Sequence, residues 1–204
     1  MSTGTQISRV RQFLGERSIV LIGLMGAGKT SVGRRLAARL RLPFTDSDQM
    51  IEAAANRSVQ EIFESYGEQA FRDCEERVVA RILQTPSQVI ALGGGAWKSA
   101  ETRAVVAAKA VSIWLDPDLA VLIERVQRRD SRPLLRNCDA AHVLGKLDLE
   151  RRPLYAQADI HMRVPPGPHE RVVDDLVETL SKVSRISPTR EASFGHAGLP
   201  DRIV

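Results

Sequence analysis

At 204 residues, with 43% hydrophobic and 26% charged side chains, the chain is long enough for one full core and too short for two comfortable ones. No apolar run approaches the roughly 20 residues that span a bilayer, because "AVVAAKAVSIWL" is broken by Lys109, so no membrane partner is expected. The two cysteines, Cys74 and Cys138, lack metal or redox spacing and fit a reducing cytoplasm, while the net charge of +4 suits nucleic acid or a small polyanion, a choice left to where the arginines fall.

The first 17 residues carry Ser, Thr and Arg with no acidic residue before Glu16, as in a transit peptide, but lack the apolar stretch of a secretory signal; a frayed or helical start fits them. Beyond them two kinds of apolar segment alternate. "SIVLIG" (18–23), "VIALG" (89–93), "AVSIWL" (110–115) and "DIHMRV" (159–164) are short, β-branched and bounded by turn residues, so they read as strands, and "PFTD" (43–46) supplies a fifth. Helical periodicity fills the intervals, as in the stripe Phe71, Cys74, Val78 and Ile82. Ser58 and Glu61 form a capping-box pattern, Gly67 punctuates that helix, and "VVDDLVETLSKV" makes a last amphipathic helix. These elements predict an α/β fold with five strands, mostly parallel, covered by helices on both faces. The segment after about residue 185, rich in Ser, Pro, Gly and Arg, reads as a disordered tail.

"GLMGAGKT" follows the first strand and opens the helix "KTSVGRRLAARL", the context a phosphate-binding loop requires. Backbone N–H groups of such a loop turn inward around phosphate oxygens and the helix dipole adds positive potential. Lys29 reaches the β- and γ-phosphates and Thr30 ligates magnesium, so the expected anion is a nucleoside triphosphate. A guanine-nucleotide switch is disfavoured, because no Asn-Lys-x-Asp element is present.

"FTDSD" places Asp46 and Asp48 two residues apart at a strand end, where a persisting strand would turn both carboxylates the same way, one for magnesium and one for a substrate hydroxyl. Arg72, flanked by Glu68, Glu75 and Glu76, has the spacing of an ordinary surface ion pair. "LGGGAW" ends a buried strand in bare backbone at the carboxyl edge of the sheet, open to a ligand or a loose turn. The basic run "ERVQRRDSRPLLRNCD", with Arg125, Arg128, Arg129, Arg132 and Arg136, lacks the aromatics of a nucleic-acid platform and suits a segment closing over a nucleotide. "ERRPLY" adds Arg151 and Arg152, a guanidinium pair fit for a carboxylate or phosphate. His142, His161, His169 and His196 are scattered without ligand spacing and read as structural or exposed.

In order and spacing, "GLMGAGKTSVGRRLA", "FTDSD", "GEQAFRDCE", "LGGGA", "SRPLL" and "RRPLY" resemble the motifs of shikimate kinase over about residues 18–180. The resemblance implies a P-loop NTPase-type three-layer sandwich, nucleoside monophosphate kinase-like, and transfer of the γ-phosphoryl of ATP to the 3-hydroxyl of shikimate in aromatic amino acid biosynthesis. It implies an N-terminal extension (1–17), a kinase domain (18–184) with a substrate-binding region about 47–75 and a lid about 127–140, and the tail 185–204.

By the same resemblance Gly26, Ala27, Gly28, Lys29, Thr30, Ser31, Arg128 and Arg132 bind ATP, and Thr30 and Asp46 hold Mg2+. Asp48, Arg72, Gly94, Gly95, Arg151, Phe63 and Phe71 bind shikimate, with Lys29, Asp48 and Arg132 catalytic. Arg151 and not Arg152 aligns with the second carboxylate-binding arginine, and Arg128 with the arginine stacked on adenine. Shikimate and ATP are the expected partners of a cytoplasmic monomer, without nucleic acid. The alternatives are a gluconate-kinase-like enzyme and a nucleotide-binding regulatory protein.

Overall fold

A computed structural model describes residues 3–127 and 140–186. Five strands form one sheet in the order β2-β3-β1-β4-β5: β1 (Ser18–Ile22), β2 (Phe44–Asp46), β3 (Val89–Ala91), β4 (Ala110–Pro117) and β5 (Ile160–Val164). All four pairings are parallel, where the sequence had led us to expect a mostly parallel sheet. Every residue of β1, β3 and β4 is buried, as in parallel strands covered on both faces, which is why they read as continuous apolar runs.

The helices are α1 (Thr3–Leu14), α2 (Lys29–Leu40), α3 (Ser47–Ala55), α4 (Val59–Ile82), α5 (Ala100–Lys109), α6 (Leu119–Gln127), α7 (Ala140–Tyr155) and α8 (His169–Ile186). The chain leaves the central β1 to one side for β2 and β3 and to the other for β4 and β5, so the carboxyl ends of the strands open a crevice on one edge. The expected capping box starts α4: the Ser58 N–H donates to Glu61 Oε2 (2.7 Å) and the Glu61 N–H to Ser58 Oγ (3.2 Å). Gly67, at φ 80 and ψ 172, then breaks the helical path, so α4 is two helical segments joined at a kink. Ile51, Ile62 and Phe71 make a small second core beneath α3 and α4.

The N-terminal segment is part of the main core. Val10 and Leu14 are buried, Ile7 and Phe13 pack beside them, and α1 lies on α8 and α2. Ser87 ties its end down, with Oγ donating to Gly15 O (2.8 Å) and its N–H to Glu16 O (3.1 Å). The helix α8 extends to Ile186, and the rest of the expected tail lies outside the described residues. Among the described residues no helix is long and apolar enough to cross a membrane. Leu14→Ala is expected to destabilise the protein by about 2–4 kcal/mol in urea melts, the cost of a buried leucine cavity. A shift within error would place α1 outside the core.

Candidate active site

The loop between β1 and α2 ends at Gly28, the N-cap of α2, at φ 93 and ψ 12, a left-handed conformation that glycine adopts without a Cβ clash. No side chain caps this helix start, so its first N–H groups face the crevice and form an anion-binding end. Lys29 Nζ donates back across the loop to Gly23 O (2.8 Å) and Leu24 O (3.1 Å). A cleft of about 400 Å³ is lined by Gly26, Gly28, Lys29, Thr30 and Ser31, with Asp46, Asp48 and Gly94 opposite. Ala27, expected among the nucleotide contacts, points inward: it is fully buried and its N–H donates to Leu24 O (3.2 Å).

The two aspartates reach the cleft by a different geometry from the one expected. β2 stops at Asp46, which caps α3, its Oδ1 accepting the Asp48 N–H at 3.1 Å, and Asp48 stands in the first helical turn. A capping turn and not strand alternation therefore brings them together. Thr30 Oγ1 donates to Asp46 Oδ2 at 2.7 Å, so a hydroxyl and a carboxylate oxygen meet at the start of α2. Hard oxygen donors of this kind suit Mg2+, which would find its remaining ligands on phosphate and water.

Beside this cleft, and not among the residues that line it, α4 and α7 each bring an arginine to the Gly93–Gly95 backbone. A Cβ on Gly95 would overlap the Arg72 guanidinium, one on Gly93 would meet the carboxylates of Asp48 and Glu75, and Arg151 Nη1 donates to Gly94 O at 2.7 Å. Both arginines thus converge on residues 93–95. Arg151 Nε is buried with no hydrogen-bond partner. Arg72 lies over the rings of Phe63 (5.7 Å) and Phe71 (5.2 Å), which themselves pack at 4.5 Å; Phe71 is buried in the small core.

Arg72 is more than the surface ion pair its spacing suggested. It contacts exposed Glu68 (3.2 Å), but its Nη1 donates to Glu75 at 2.6 Å, and Glu75 is buried. Burial pushes the Glu75 carboxyl above the usual glutamate range, against the opposing pull of Arg72. Arg152 pairs instead with Asp116 at the end of β4 (2.8 Å).

Sequence reasoning named Arg125 only as one of a basic run suited to close over a nucleotide and gave His169 no site role; both line the cleft. Arg125 Nη1 donates to Gly26 O (3.3 Å), and His169 Nε2 lies 3.1 Å from where a Cβ on Gly28 would stand. For Arg125 the signal was its place in the basic run, one helical turn before Arg128. For His169 it was a helix start directly after "PPGP". Arg128 and Arg132, with residues 128–139 of the expected lid, lie outside the described residues.

A family model described as "Shikimate kinase" matches residues 25–181. The chain is 52% identical to a shikimate kinase of Bradyrhizobium diazoefficiens over 167 residues, covering 82% of this chain and 81% of that one. It is 48% identical to one of Brucella canis over 190 residues, covering 93% and 94%. Among solved structures, a shikimate kinase from Acinetobacter baumannii in complex with shikimate superposes with a TM-score of 0.80 at 31% identity, covering 85% of this chain and 98% of that one. With its loop, paired aspartates and converging arginines on one sheet edge, the chain belongs to the shikimate kinase family.

Proposed function

We propose that the cleft of this ATP-dependent small-molecule kinase, of a family that phosphorylates shikimate in aromatic amino acid biosynthesis, divides its labour between two walls. The loop and the start of α2 hold the ATP phosphates, Lys29 neutralises charge on the γ-phosphoryl, and Arg125 and His169 touch the nucleotide from the far side. Thr30 and Asp46 would hold Mg2+, which would supply positive charge against the phosphates of the nucleotide. Asp48 orients the 3-hydroxyl of shikimate and accepts its proton as that oxygen bonds to the γ-phosphorus and ADP departs. Arg72 and Arg151 grip the shikimate carboxylate beside the backbone of Gly94 and Gly95, with Phe63 and Phe71 behind Arg72. The N-terminal segment and the kinase core act as one unit, and the catalytic role expected of Arg132 falls outside the described residues. The reading extends to a cytoplasmic monomer without nucleic acid as partner.

The observation that carries the reading is the convergence of Arg72 and Arg151 on residues 93–95, beside the Asp48 carboxylate. Two guanidinium groups meeting at one stretch of bare backbone suit a carboxylate, which accepts charge-assisted bonds from both.

Replacing Arg72 or Arg151 by Ala is expected to weaken shikimate binding about 30-fold or more while ATP binding stays intact, read by calorimetry. Against the uncharged methyl ester of shikimate, both variants should match wild type; wild-type affinity for shikimate itself would remove the carboxylate assignment. Lys29→Met is expected to fold normally and lose most turnover in a coupled ATP assay, and near-normal turnover would refute the role given to the loop lysine.

Glu75 provides a pH test. A carboxyl whose folded pKa is raised makes the folded state take up protons as pH falls, so its contribution to stability is full below the ordinary value of 4.5 and is lost as pH rises through the raised value. Urea melts of wild type and Glu75→Gln from pH 4.5 to 8 should show wild type losing stability relative to the variant as pH rises. Parallel curves would mean that Glu75 titrates as an ordinary glutamate.

A further inference from the structure

Asp116, at the end of β4, is 4% exposed, yet it accepts hydrogen bonds from two elements. Arg152 on α7 reaches it in a fork, Nη1 to Oδ1 (3.2 Å) and Nη2 to Oδ2 (2.8 Å), and β5 adds His161 Nε2 (2.7 Å) and Arg163 Nη1 (2.7 Å). Burial pulls the carboxyl upward, but the bonds from Arg163, His161 and Arg152 outweigh it and hold it below the usual carboxylate range. Trp114, two residues earlier on the same strand, stacks on His161 (4.1 Å, 11°), lies beneath the Arg152 guanidinium (5.0 Å) and meets the Tyr155 ring (5.9 Å).

The last turn of α7 thus has two working faces. Arg151 and Tyr155, four residues apart, share one face, and both donate to Gly94 O, at 2.7 and 2.8 Å. Arg152 projects about 100° around the helix onto Asp116. Any roll of this turn that loosens Arg152 must also move Arg151. We propose that Asp116 is a positioning residue for the kinase reaction: by anchoring Arg152 it sets the roll of the last α7 turn, so that Arg151 meets the substrate carboxylate beside Gly94. The inference rests on the role given to Arg151 above.

Steady-state kinetics of Asp116→Asn, which keeps the size and removes the charge, tests it. The expected result is a shikimate KM raised about tenfold, with kcat and the ATP KM unchanged. In an Arg151→Ala background the same change should raise the shikimate KM no further, because both act through one contact. Asp116→Asn at the wild-type shikimate KM, a parallel rise in both KM values, or a full additive effect on top of Arg151→Ala would each overturn the proposal. If Arg151→Ala alone has the wild-type KM, the carboxylate reading fails and the inference falls with it; if only Asp116→Asn is silent, the inference fails alone. Should Asp116→Asn not fold, Arg152→Met, at a half-exposed position, carries the same expectations.

Discussion

The backbone of residues 93–95 is the seam on which both walls of the cleft close. The Gly93 N–H donates to the buried Ser47 Oγ at 2.8 Å, tying the seam to the start of α3, and Gly94 O accepts from Arg151 and Tyr155, tying it to α7. Three helices can press their polar side chains against this segment only because it carries none: a single Cβ at Gly93 or Gly95 would displace a carboxylate or a guanidinium. Losing that approach would loosen α3, α4 and α7 together, since each registers against the same few peptide groups.

Charge is organised around the seam in the same way. Glu75 is buried and compensated by Arg72, with Asp48 nearby as a second anion and Arg151 as a second cation. Removing one partner of such a group strands the other in a poorly solvated site, which is far more costly than losing a surface pair. The side chains are therefore held before any substrate arrives, and an arrangement fixed in advance spends little binding energy on reorganisation.

Much of the architecture was legible because it rests on local signals. Five strands, the strand–loop–helix at residues 18–40 and the Ser58 capping box follow from spacing, glycine placement and β-branched runs, and each recurs in the structure. Features set by tertiary packing were not legible. The spacing of Arg72 and Glu75 is that of any exposed helical pair, and only the closure of α4 onto residues 93–95 buries the glutamate. Asp46 and Asp48 do share the cleft, but through a helix cap that strand periodicity could not foresee. Arg125 was hidden among five arginines, because nothing local says which of them looks back at the loop. The docking of α1 depends on a surface made by α8, near the far end of the described chain.

That last contact sets an order of events during synthesis. Val10 and Leu14 emerge well before α8, the helix against which α1 packs. At the usual elongation rate of about 5–20 residues per second, the first helix waits on the order of ten seconds for its partner. During that interval the parallel sheet, whose neighbouring strands are distant in sequence, is itself being assembled. α1 is thus made long before its partner and buried late, so its apolar face stays open to solvent through most of synthesis.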